Sequence, residues 1–567
     1  MTRKGTGSRN AFPAGRAIAL AGLLALSALS GPTAAADDDA IGALLQRFDA
    51  ETPGAIIGLV RDHELTEVHA AGSASLAWQR PLEASTRVNI GSTAKQFTGM
   101  ALALLAAEGR LSLDDDVRDH LPELPEHDHT ITLRHLASHT SGLRDYISLM
   151  MLAGVRMDRG DWIDEADILQ MLDRQGELQN PPGTEWNYNN TGYVLLARVI
   201  RRVTGERFAD WMRENLFEPL GMDDTRVRPT PIHIIERAAT GYTRQNDTWL
   251  EMRDVAGAPG AGAVYTTVGD MARWMRHLGE FDLGGEAARV LMTTPFELAD
   301  GTDTGYGLGL GIDRHGGLLR WRHGGGDLGH LSAFHYFPEI DSGYMVFANH
   351  HELSDRLIDF VGNTLLASEL DVASRAPITR ALGPDTFHDA LFERYAGAYK
   401  IADSDDRILE FRRNSGAYVV SSPGQSPRQL RPVDARTFEI EGSDKRVRFE
   451  RREDGRSRSL TLIGNEERRG RRVEADPPEG FEPGEYAGHY YSRELETYYA
   501  IEANATALRL HHRRFGPVSL YPSGDDHFSG SLPVLGVRFE RGEEDGRIHG
   551  LRAGNGRARD VYFERVE

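Results

Sequence analysis

Apolar residues in this chain follow three rhythms. From Ala94 to Glu108 they recur every three or four positions, with Phe97, Met100, Ala101, Leu104 and Leu105 on one stripe. That spacing predicts a long helix, which Gly109 closes. The same period runs through AIGALLQRF (Ala40–Phe48), through ITLRHLASHTSG up to Gly142, and through TGYVLLARVIRRVTG, which stops at Gly205. In TTVGDMARWM, Thr267 with Asp270 three residues on resembles a capping box ahead of an apolar run.

The second rhythm is that of strands. AIIGLV (Ala55–Val60) and the following TEVHAAGSAS predict a strand pair and a turn just before VNIGS. Much later, YGLGLGI, LLRWRHGG, LSAFHYF and GYMVFAN read as strands, the last three antiparallel with short connections. The implied architecture is α+β, an α/β sandwich: a sheet built from both ends of one region, with a helical block inserted between them.

The third rhythm begins near residue 389, where short strands and turns replace helices. ASRAPITRALGP, inside an expected linker at 371–388, holds two prolines and no period. Beyond it the chain repeats itself. YAGAY starts at Tyr395 and YAGHY at Tyr486; VRFERREDGR starts at Val447 and VRFERGEEDGR at Val537. Two separated matches at nearly one offset predict two homologous all-β units, small barrels, at 389–473 and 486–567. VRFE alternates like a strand with one face inward, and EDGR suits a hairpin turn. The acidic stretch EADPPEGFEPGE links the two units at 474–485.

Composition narrows the function classes. The chain has 567 residues, so several domains are expected, and its formal net charge is -20. Such acidity argues against a nucleic-acid partner. There is no cysteine. Disulfides, zinc–thiolate sites, thiol nucleophiles and a lipid anchor on cysteine are therefore excluded. Residues 1–36 read as a signal peptide: Arg3, Lys4, Arg9 and Arg16 precede the apolar AIALAGLLALSAL, and Ala34 and Ala36 form a small-x-small cleavage pattern. A secreted or periplasmic protein follows, with no transmembrane segment in the mature chain. A catalytic region is then expected at 37–370.

Three stretches carry candidate chemistry. In VNIGSTAKQF, Ser92 opens a helix and Lys95 lies one turn later on the same face, so its amine can take the serine's proton. In TEWNYNNTGY, Tyr188 and Asn190 point the same way from an extended segment, a phenol and a carboxamide facing one cleft. In WRHGGGDLGHL, the glycines let backbone approach closely, so an N–H near Gly325 can join that of Ser92 as an oxyanion hole, with His323 at the cleft edge. Each stretch alone also has an ordinary structural reading, as a helix cap, a turn or a glycine-rich hairpin respectively. His135 and His139 are four apart on a predicted helix, but no H-E-x-x-H pattern accompanies them, and they read as packing or capping residues.

Taken together, the three stretches resemble the motifs of the penicillin-recognising serine hydrolases, which include class C β-lactamases, D,D-carboxypeptidases and D-aminopeptidases. Ser92–Lys95 is similar to S-x-x-K, Tyr188–Asn190 to Y-x-N, and His323–Gly325 to the H-x-G that many peptidase relatives carry in place of K-T-G. The resemblance covers about residues 40–365 and includes the flanks LRHLASHTSGL and TTVGDMARW. It implies acyl-enzyme chemistry on an amide or ester. Ser92, Lys95 and Tyr188 would be catalytic, Asn190 and His323 would orient substrate, and Ser92 and Gly325 would give the oxyanion N–H groups. No cofactor and no metal are required. The expected substrate is a small D-amino-acid-containing peptide, such as one derived from peptidoglycan. Short-chain esters, weak β-lactamase action and an inactive envelope-binding module are the alternatives. Histidine where β-lactamases have lysine replaces a fixed charge with a weaker, pH-dependent one. The sequence leaves open whether Lys95 or Tyr188 is the base, what the β units do, and the oligomeric state.

Overall fold

The computed structural model describes residues 34–567 apart from 372–391 and short stretches at 246–247, 258, 354, 393, 403–407, 415–416, 422–427, 435, 441–444, 451–456, 465–466, 473–480, 505–507 and 567. The catalytic region is a six-stranded antiparallel sheet with helices on both faces. Its strands are β1 (Ala55–Arg61), β2 (Glu64–Ala71), β3 (Gly311–His315), β4 (Leu318–Asp327), β5 (His330–Phe337) and β6 (Ser342–Ala348), in spatial order β3-β4-β5-β6-β1-β2. The register Ala55↔Ala348 joins the two ends of the region, so everything between β2 and β3 is the inserted helical block.

The continuous apolar run of β1 follows from this position. Ile57 and Leu59 pack with Ile41 of helix α1 (Ala34–Leu45) and with Ile358 and Val361 of a helix near the end of the region, Asp355–Leu365. Ile56 and Val60 belong to the cluster on the other face, with Phe97 of α2 (Lys95–Ala107) and Trp274 and Leu278 of α4 (Val268–Glu280). A strand covered on both sides has no polar face to alternate with. Each such buried side chain stabilises the fold by roughly 1.5–3 kcal/mol.

Helix α2 starts from a 3₁₀ turn at Gly91–Ala94. It is buried at every position from Lys95 to Ala103, so its apolar stripe understates how central it is. Helix α3 (Asn190–Thr204) ends on Gly205, whose left-handed φ of 77° closes it as expected. Thr267 caps α4 by accepting from the N–H of Asp270. The reciprocal half of the box does not form, because the Asp270 carboxylate takes bonds from Asp224 N and Thr225 Oγ1 instead.

Three expectations shift in extent. The helix read through ITLRHLASHTSG up to Gly142 spans only Leu133–Ala137. The first helix begins at Ala34 and ends at Leu45, before Phe48. Only the end of YGLGLGI joins the sheet, since β3 starts at Gly311. Gly309 (φ 78°) instead presses against the backbone of α2, where an added Cβ would lie 2.4 Å from the Lys95 carbonyl oxygen. The predicted signal peptide lies outside the described residues up to residue 33, as does the expected linker from 372 to 388.

Beyond residue 392 lie two closed eight-stranded barrels, 397–472 and 488–566. The repeats fall on matching strands. YAGAY and YAGHY lead into the first strand of each barrel, and the two VRF segments lie on the sixth, Arg446–Phe449 and Val534–Arg541. The second EDGR forms the turn after the sixth strand; the first lies outside the described residues. The first barrel keeps a separate core, whereas that of the second is continuous with the catalytic core. Among the described residues no helix is long and apolar enough to cross a membrane.

Candidate active site

Ser92 is half-buried in the turn that opens α2, and the turn is fixed from several sides. Asn89 accepts from Gly91 N at 2.9 Å and donates to the carboxylates of Asp254 (2.8 Å) and Asp327 (2.9 Å). Ser332 on β5 donates to the Ile90 carbonyl at 2.7 Å, so Thr93 is the donor in its own 2.7 Å bond to Ser332. The glycines of β4 make this closeness possible. A Cβ on Gly325 would lie 1.9 Å from the Ile90 carbonyl oxygen, and one on Gly91 would lie 2.9 Å from the Gly326 backbone.

One helical turn beyond Ser92, Lys95 is fully buried. Its Nζ lies 3.0 Å from Ser92 Oγ, 2.8 Å from Asn190 Oδ1 and 2.8 Å from the Ala261 carbonyl oxygen. Burial pulls its pKa down to about 7, opposed by the nearby Asp145 carboxylate and aided by the Arg557 guanidinium. Asn190 is held in turn by Asp145, whose Oδ2 accepts from Asn190 N at 2.7 Å and Nδ2 at 2.8 Å.

The Tyr188 ring centroid lies 4.9 Å from Lys95 Nζ. Burial pushes its phenol well above the ordinary value, and the Ser92 hydroxyl nearby opposes that rise although no well-formed hydrogen bond closes between the two. His139, buried at φ 63°, backs the ring at 4.3 Å and accepts from Asn189 N at 3.1 Å. His135 completes a capping box with Thr132.

His323 is buried on β4. Its Nδ1 lies 2.6 Å from the Gly324 carbonyl, which only accepts, so Nδ1 carries the proton. Nε2 then accepts from the Tyr306 hydroxyl at 2.9 Å. Burial first, and Lys95 second, hold its pKa down at about 3. The pH-dependent charge expected of this histidine is thus absent at neutral pH.

The fold gathers Ser92, Lys95, Tyr188, Asn190, His323 and Gly325 around the nucleophile turn and adds four participants that the motifs do not contain. Ala261 contributes a carbonyl, and Asp145 is legible in the sequence only as the N-cap of the helix Tyr146–Leu152. Tyr306 sits in the run read as strand. Arg557, on a loop of the second barrel, places its Cζ 4.8 Å from the Tyr188 ring centroid, and nothing in GNGRARD signals that placement. Among the described residues no group of three or more His, Asp or Glu could hold a metal ion.

A family model described as Beta-lactamase matches residues 39–366. Penicillin-binding protein 4* of Bacillus subtilis (strain 168) is 27% identical over 421 residues, which is 70% of this chain and 90% of the relative. A D-aminopeptidase of Cereibacter sphaeroides (strain ATCC 17029 / ATH 2.4.9) is 27% identical over 551 residues, 93% of this chain and 98% of the relative, so that likeness runs through both barrels. In fold, the chain is similar to the octameric penicillin-binding protein homologue from Pyrococcus abyssi, with a TM-score of 0.55 at 20% identity over 77% of this chain and 99% of that one.

Proposed function

This chain belongs to the β-lactamase family and is a serine hydrolase working through an acyl-enzyme; on that premise we propose that it is exported and cleaves amide bonds in D-amino-acid-containing peptides, with Ser92 as its nucleophile. The observation that carries the assignment is the contact between Lys95 Nζ and Ser92 Oγ, 3.0 Å apart inside a buried site. D-aminopeptidase relatives matched over nearly the whole chain support the substrate class.

With a pKa of about 7, much of Lys95 is neutral at physiological pH. A neutral amine has two N–H donors, which Asn190 Oδ1 and the Ala261 carbonyl occupy. Its lone pair is left for the Ser92 proton. Ser92 Oγ then attacks the carbonyl carbon while its proton passes to Nζ. The oxyanion is met by the N–H of Ser92 and by the glycine run at Gly325. As the C–N bond breaks, the leaving amine takes a proton from Lys95 by way of the Tyr188 hydroxyl. The raised phenol pKa supports Tyr188 as a relay rather than the initial base. Water then attacks the Ser92 ester, gives its proton to the same pair, and frees the acid and the serine. Asn190 and its anchor Asp145 hold the amine in line. His323 serves as a neutral wall of the cleft beside Tyr306.

The test is to profile the mature protein against D-amino-acid amides, D-Ala-D-Ala peptides, short-chain esters and a chromogenic cephalosporin, with Ser92→Ala as control. The expected result is turnover of a D-configured amide, a covalent adduct lost in Ser92→Ala, and slow or absent cephalosporin hydrolysis. A cephalosporin rate matching the best amide overturns the substrate assignment. Absence of any Ser92 adduct overturns the nucleophile.

A further inference from the structure

A loop of the second barrel, between the strands Ile548–Gly554 and Val561–Val566, reaches Tyr188. The loop is bonded to the residues that hold the site. Asp145 N donates to the Arg557 carbonyl at 3.1 Å, Asn555 Nδ2 to Ser148 O at 3.1 Å, and Arg144 Nε to Arg559 O at 2.8 Å. Ala558 is fully buried and anchors the loop tip. The Arg557 side chain, by contrast, is exposed and lies over the Tyr188 ring.

Its neighbours show what is unusual about it. Arg559 pairs with Glu185 at 2.7 Å, Arg144 with Glu494 at 3.1 Å and Arg552 with Glu540 at 2.7 Å. Arg557 has no such carboxylate among the described residues. At the position where related enzymes carry a lysine, His323 is buried and bonded to Tyr306. Lys95 works as a neutral base, so Arg557, an arginine and hence a fixed cation, is the positive charge that lies over the Tyr188 ring.

We propose that Arg557 is a specificity residue that binds a carboxylate of the substrate, so that the enzyme prefers peptides bearing an acid next to the scissile bond. This rests on the reading of Ser92 chemistry given above. A planar guanidinium takes a carboxylate through two parallel hydrogen bonds, and the Tyr188 ring gives it a cation–π partner, with Cζ 4.8 Å from the ring centroid. The carboxylate has two possible sources, the C-terminal α-carboxylate of a leaving D-residue or an acidic side chain on that residue.

The experiment measures kcat/KM of the full chain for N-acetyl-D-Ala-D-Ala against its C-terminal amide, and for N-acetyl-D-Ala-D-Glu-amide against the D-Gln counterpart. Wild type, Arg557→Gln and Arg557→Lys are compared, with melting temperatures as the folding control. The proposal expects an acid preference of at least tenfold in one pair, carried mainly by KM, cut about tenfold or more in Arg557→Gln and partly kept in Arg557→Lys. Whichever pair shows it identifies the source. Equal rates on acid and amide in wild type, or a preference that Arg557→Gln leaves intact, overturn it. Calorimetric binding of the same acids and amides to Ser92→Ala and Ser92→Ala/Arg557→Gln separates the two readings. If wild type cleaves none of them, the assigned substrate class fails, while an acid preference in binding that depends on Arg557 still stands; no acid preference in binding removes the Arg557 proposal on its own terms.

Discussion

Asp145 grips Asn190 by both the backbone and the side-chain amide, at 2.7 and 2.8 Å. That grip sets which atom Asn190 offers to Lys95: with Nδ2 committed, Oδ1 faces the amine at 2.8 Å. The same carboxylate raises the lysine pKa against the pull of burial.

Asp145→Asn therefore acts on both geometry and charge. Losing the charge lets the Lys95 pKa fall further, so the rising limb of kcat/KM against pH moves to lower pH. Loosening Asn190 lowers the plateau by about tenfold or more, in the range of a misplaced general base. Replacing charge-assisted bonds with neutral ones costs about 1 kcal/mol of stability per bond. A pH–rate profile and a urea titration check both, and a limb that moves alkaline contradicts the electrostatic account.

In the wild type, kcat/KM should rise with pH through about 7, as Lys95 loses its proton. Stability follows the same group. An unfolded lysine keeps its proton to about pH 10.4, so between those values the unfolded state binds more protons than the folded one. The contribution of Lys95 therefore improves as pH rises from about 7 toward 10 and is least favourable below 7. Compared with Lys95→Met, whose activity should drop by about 10²–10⁴, wild type should gain melting temperature over that window.

His323 makes a separable prediction. With its pKa held down at about 3, it contributes no limb to the profile between pH 5 and 9. His323→Gln should leave the limb near pH 7 in place. His323→Lys puts a second cation close to Lys95, lowers the Lys95 pKa and shifts the limb toward acid. An identical profile in His323→Lys would remove any electrostatic influence of this position on the site.

Gly325→Ala tests the close approach of β4 to the nucleophile turn. The new Cβ meets the Ile90 carbonyl oxygen at 1.9 Å and Ser332 Oγ at 2.3 Å. Backbone must move apart, at about 1–3 kcal/mol or more for such overpacking. Activity should fall further than stability, because the shift widens the space between Ser92 and the glycine run. Denaturant midpoints and acylation rates, measured on the same samples, check this.

Much of this molecule is local and therefore readable in one dimension. The stripe of Phe97, Met100 and Leu105 makes α2, Gly205 stops α3, and the repeated YAG and VRF segments mark two barrels, because helix period, caps and strand alternation depend on neighbours a few positions away. Ser92 and Lys95 share a helix face for the same reason. What the chain order does not contain is proximity across the fold. Asp145 looks like a helix cap, and Arg557 like one of many surface arginines; only packing brings the first under Asn190 and the second over Tyr188. The charge on His323 was also beyond sequence, since histidine in water titrates near neutrality. Burial between β4, Tyr306 and Lys95 removes that charge, because solvation is a property of the assembled site.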